Sequence, residues 1–174
     1  MPVSTAPRTY RASGNVVAAV STAPFLAIQG AANKVIRLTK VIIHGPTLTT
    51  AQLLRVALTK NSTAQSGGTP VAPAKVPLDS QGVPALATVQ AYTAAPTPGA
   101  VVGQISERSI LAQSSTIVAS AELDEGIFDF TTAERDTEFP TLRGLAENIS
   151  VTFPVAPASA VTLSYTIEWT EDGN

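Results

Sequence analysis

The sequence predicts one all-β domain with roughly eight to ten strands, enough for two packed antiparallel sheets. Three observations carry this expectation. Apolar and polar residues alternate with period two along much of the chain. Gly, Pro, Ser and Asp break that alternation at intervals. The 174 residues suffice for one well-filled core, and all-β domains of this length are commonly single.

The C-terminal run is the clearest element. Val161, Leu163, Tyr165, Ile167 and Trp169 alternate with Thr162, Ser164, Thr166, Glu168 and Thr170. A strand puts the first set on one face, whereas a helix would scatter it. Ile149, Val151 and Phe153 follow the same rule, and the Pro154 to Ala160 turn predicts a hairpin between the two runs. Lys34 to Ile43 places Ile36, Leu38 and Ile42 on one face and Val35, Val41 and Ile43 on the other, as in a central strand that Gly45-Pro46 stops. Gln52 to Lys60 puts Leu54, Val56 and Leu58 on one side, so these two runs read as a hairpin or meander. Further strands are expected at Thr9 to Ser13, Val16 to Val20, Phe25 to Gln29, Ala87 to Tyr92, Val101 to Ile110, Thr116 to Ala121 and Ile127 to Phe130. Asn61 to Gly82 and Thr93 to Gly99 read as loops, the first long enough to be functional, and Thr131 to Glu138 as a short helix ended by Pro140.

Charged residues are only 14% of the chain, against about a quarter in ordinary soluble domains. Mean hydropathy is +0.21. Such a surface favours burial by other subunits, because interface cores are depleted of charge. The net charge of −2 and the scattered Lys and Arg argue against nucleic-acid binding. The absence of Cys removes disulfides, thiolate metal sites and thiol nucleophiles. Val16 to Ala32 is apolar but interrupted by Ser21, Thr22, Pro24 and Gln29, and no run reaches the length of a membrane span. A cytoplasmically made protein without a membrane partner is expected.

Catalytic constellations are missing, and no enzyme activity, cofactor or metal is expected. His44 is the sole histidine, and no G-x-S-x-G elbow accompanies it. One His and no Cys cannot make a zinc site, and His44 reads as a partly exposed residue at a turn. Glu122, Asp124, Glu125 and Asp129 lack the spacing of a calcium loop and read as a solvated turn beside Gly126. No spaced pair of carboxylates suggests glycoside cleavage. Trp169 follows the buried alternation of its strand. Ser66-Gly67-Gly68-Thr69 has the composition of an anion nest without the rest of a phosphate loop. Asn148-Ile149-Ser150 fits a glycosylation pattern but falls inside an expected strand.

Five phrases carry a family resemblance: KVIRLTKVIIHGPTLTTAQLLRVALTKNSTAQSGGTPVAPAKVPLD, ATVQAYTAAPTPGAVVGQI, FDF, LRGLAENISVTF and SYTIEWTED. Across most of Lys34 to Asp172 the chain resembles small phage and prophage virion structural proteins. In size and composition it is similar to trimeric capsid decoration, or cement, proteins. The resemblance implies a jelly-roll-like β-sandwich of two antiparallel sheets, a homotrimer, and a place on the outer capsid surface with the major capsid protein as partner. It carries over no catalytic residue. Residues 1–15 lie outside it and read as an N-terminal arm ahead of a domain at 16–174, with Arg8, Tyr10 and Arg11 as candidate partner contacts. A tail or fibre module for host-receptor attachment is the alternative, with Asn61 to Gly82 as its contact loop. A carbohydrate-active enzyme ranks below both.

Overall fold

The structure is a computed structural model, and it describes residues 7–79, 82–116, 124–131 and 139–173. The expected helix at Thr131 to Glu138 apart from Thr131, most of the expected strand at Thr116 to Ala121, and Glu122 lie outside these residues.

The described residues are all-β. The N-terminal half holds β1 (Arg8–Ala18), β2 (Leu26–Gln29), β3 (Lys34–Leu48), β4 (Gln52–Asn61), β5 (Thr69–Val71) and β6 (Lys75–Pro77). The C-terminal half holds β7 (Thr88–Ala94), β8 (Val101–Ser114), β9 (Glu125–Asp129), β10 (Thr141–Arg143), β11 (Asn148–Thr152) and β12 (Val161–Gly173). Hydrogen bonding runs in the order β5-β7-β2-β11-β4-β8-β3-β12-β1-β6, and β9 and β10 also pair with β3. Every pairing is antiparallel except β3 with β8, which is parallel over Thr47–Leu48 and Gln113–Ser114. The result is a curled mixed sheet, a half-barrel.

Its curl follows from the chain itself. The terminal strands β5 and β6 are separated by only Ala72, Pro73 and Ala74. That connection spans at most about 14 Å, so the two ends of the sheet must face each other. Pro70 and Pro77 sit in these end strands, where a missing N–H discourages further strand pairing.

β12 has the alternation read from the sequence: Val161, Leu163, Tyr165, Ile167 and Trp169 are all buried. It lies between β1 and β3, pairing with β1 over Arg8–Ala18 and with β3 along most of its length. Residues 8–15 of the expected arm form the first eight of the eleven residues of β1. There Tyr10 and Ala12 enter one continuous core with Trp169, Phe128, Leu58 and Phe153.

The expected hairpins are corrected. β11 pairs with β2 and β4, not with β12, and β3 pairs with β12, β8, β9 and β10, not with β4. The turns between these strands therefore cross from one limb of the curled sheet to the other. β3 also runs on through Gly45-Pro46 to Leu48, because Gly45 takes a positive φ of 51° and the register shifts there without ending the strand.

The expected faces of β3 change for a related reason. Leu38 pairs with Trp169 and Lys40 with Glu168, which leaves Thr39 as an extra, bulged residue. The bulge reverses the inward parity: Ile36 and Leu38 are buried before it, and Val41 and Ile43 after it, while Ile42 is only partly covered. It also coincides with a break on β3's other edge, where β9 pairs with residues 40–44 and β10 with residues 35–37. At the break Phe130 N donates to Thr39 O and Leu38 N donates to Pro140 O.

The expected loop at Asn61 to Gly82 contains β5 and β6. Its first part, Ser62 to Gly68, is tied to a buried polar cluster. Asn61 Nδ2 donates to Asn148 Oδ1 at 2.8 Å and to Ser150 Oγ at 2.9 Å, while Asn148 Nδ2 donates to Thr63 O at 2.6 Å. Gly67 and Gly68, with φ of 67° and 74°, turn the chain between the Ser66–Thr97 bridge and β5.

Candidate interaction surface

Among the described residues, His44, Asp124 and Asp129 bond to neighbouring strands and turns. His44 lies within β3, with Nδ1 at 3.1 Å from Glu125 Oε1 and both side chains partly exposed. Asp124 accepts from the backbone N–H of Leu111 at 2.7 Å and of Glu125 at 2.9 Å. Asp129 pairs with Lys40 at 2.7 Å and accepts from the hydroxyl and N–H of Thr131. The hydrogen bond from Lys40, followed by those from Thr131, holds the Asp129 carboxyl down at about 2. Among the described residues no three His, Asp or Glu side chains come together as metal ligands. Asn148 of the glycosylation pattern is buried with its amide engaged, so it is closed to modification in the folded chain.

A cleft of about 480 Å³ is lined by Arg37, Lys60, Phe139, Thr141, Arg143 and Glu147. Two of its cations are matched within the chain. Arg37 pairs with Asp172, and Lys60 lies 3.7 Å from Glu147 while donating to Thr141 O at 2.9 Å.

The three N-terminal candidates separate. Tyr10 is 1% exposed and stacks on Trp169, so its ring belongs to the core. Burial raises its phenol pKa, and the Glu171 carboxylate raises it further. Arg11 is exposed and bonds Glu168 across β1 and β12, with Nε at 2.8 Å from Oε1. Arg8 begins β1 opposite Glu171.

Arg11 stands beside an apolar surface of which Val76 and Leu78 fall within the expected loop at Asn61 to Gly82, and Val83 and Leu86 just beyond it. Val76 is its register partner on β6, and Leu78 N donates to Thr9 O. Val76, Leu78, Val83 and Leu86 are each at least 50% exposed, and all fall within one eleven-residue stretch. On the other limb, Leu53 of β4 and Leu111 of β8 are directly opposed and 63% and 42% exposed. The alternation could have revealed Leu53, because its parity is opposite to that of Leu54, Val56 and Leu58. Val76 and Leu78 offered no such signal, since β6 is only three residues long, too short to show a period, and Leu78 lies just beyond it.

No family model and no curated protein matches the chain. Among solved structures it is similar, at 11% identity and a TM-score of 0.20, to a chain in "Structure of infectious bursal disease virus Gx strain". The match covers 97% of this chain and 42% of that one, so the chain spans less than half the length of its structural neighbour. A likeness of that size supports no statement about fold or function. The surface remains the informative feature: the ion pairs Arg11 with Glu168 and Arg55 with Glu107 each cancel locally, and large aliphatic side chains such as Leu53, Val76 and Val101 are more than half exposed.

Proposed function

We propose that this chain is a structural protein of a bacteriophage virion, a capsid decoration or cement protein. In this reading it binds the outer surface of the major capsid shell as a homotrimer and stabilises it without a chemical step. The observation that carries the reading is the charge-poor surface with large apolar side chains turned outward, above all the facing pair Leu53 and Leu111. Isolated exposed aliphatics are ordinary, but a facing pair on a surface this poor in charge resembles the centre of a protein interface. The major capsid protein is the partner implied by the resemblance of most of Lys34 to Asp172 to phage virion proteins. The same reading treats the two limbs of the curled sheet, joined where β3 meets β8, as the layers of a jelly-roll-like β-sandwich.

Burying such a patch contributes about 25 cal/mol for each Å² of apolar surface removed from water, repeated at every bound copy. The gain adds to the free energy needed to rupture the shell. Purified protein added to particles that lack it should bind saturably and raise their resistance to heat and low salt. The double variant Leu53→Lys, Leu111→Lys should lose this binding while keeping the far-UV circular dichroism of a β protein. Attachment to host cells or their surface glycans, with no shell affinity, would replace this reading with a tail or fibre module.

A further inference from the structure

Where the two ends of the curled sheet face each other, residues Gly82–Ala87 cross the seam without pairing in any strand. Two side chains hold them. The Glu171 carboxylate, 6% exposed, accepts from Leu86 N at 3.0 and 3.1 Å and from Ala87 N at 2.9 Å. On the opposite polarity, Lys75 Nζ donates to Ala85 O at 3.0 Å and to Ala87 O at 2.7 Å. Glu171 Oε1 also accepts from the indole N–H of Trp169 at 2.9 Å.

We propose that Gly82–Ala87 is a detachable strap latched by Glu171, which opens the seam between β1 and β7 while the rest of the fold stays intact. The physical reason is an imbalance of anchoring. Pro84 has no N–H, and Val83 and Leu86 face solvent, so only the small side chains of Ala85 and Ala87 tie the strap to the core. A segment with little buried apolar area and bonds to two side chains opens at lower free energy than a laddered strand. Glu171 is correspondingly dependent on the strap, because a buried carboxylate needs donors and the strap supplies two of its three. The latch and the indole therefore report on each other.

Native-state hydrogen exchange of the full chain, followed by NMR over a series of sub-denaturing urea concentrations, tests this. The amides of Leu86 and Ala87 and the indole N–H of Trp169 should exchange through an opening that depends weakly on urea. The amides of the paired residues Val41 and Ile167 should require global unfolding. Glu171→Gln should speed exchange at Leu86 and Ala87 about tenfold or more beyond any change at Val41 and Ile167. If that variant does not fold, Lys75→Met should give the same local pattern from the other side of the strap. The proposal is overturned if, in the unaltered protein, Leu86 and Ala87 exchange only with Val41 and Ile167 and with the same urea dependence.

Discussion

Tyr10 and Trp169 are register partners across β1 and β12, and their rings stack with centroids 5.8 Å apart and planes inclined by 22°. The first and last strands are thus joined by a backbone ladder and by the two largest fully buried side chains. Trp169→Ala should destabilise the protein by about 3–5 kcal/mol, since the stack and the filled volume are lost together. Urea unfolding followed by circular dichroism should show a lower midpoint with an unchanged slope. A loss below about 1 kcal/mol would mean that this junction is not central to stability.

Thr39 gives the opposite expectation. The bulge buries its hydroxyl, and Oγ1 has no hydrogen-bond partner. Thr39→Val removes an unpaired polar group at nearly constant shape and should raise stability by about 1 kcal/mol. Thermal unfolding read as a shift in Tm measures it. A marked decrease would show that the hydroxyl is needed to form the bulge.

Asp129 sets an acid dependence. Its carboxyl titrates at about 2 in the folded chain, below its ordinary value of 3.8, chiefly because of the Lys40 bond. A depressed pKa contributes stability that is present above the unfolded value and is lost as pH falls through the folded one. The contribution should therefore fade between about pH 4 and pH 2. Asp129→Asn should flatten the stability profile in that window and match the parent protein at its acid end. Unchanged curvature in the variant would assign the acid dependence to other carboxylates.

The sequence made some of this legible and hid the rest for physical reasons. β12 was readable because its two faces differ in polarity at every step from Val161 to Thr170. β3 was not, because residues 35–43 are bulky on both parities and a one-residue bulge at Thr39 leaves no trace in such a pattern. The strand pairing was also hidden: short connections suggested hairpins, but the chain repeatedly crosses between limbs to fill one core. At the candidate surface, Arg11 remained exposed while Tyr10 went to the core, since an isolated aromatic in a polar N-terminal stretch carries no periodicity to reveal its face. Leu53 was readable from its parity, whereas Val76 and Leu78 became visible only once β6 was placed against β1.

The proposed role of this charge-poor β domain is to cover a viral shell. Its most direct test is the copy number and position of the chain in intact particles produced by the genome that encodes it, determined by quantitative mass spectrometry and electron cryomicroscopy. A decoration protein should be present in many copies in a fixed ratio to the major capsid protein, arranged as trimers on the outer surface with Leu53 and Leu111 buried in contacts. A few copies confined to the tail, or none in the particle, would contradict it.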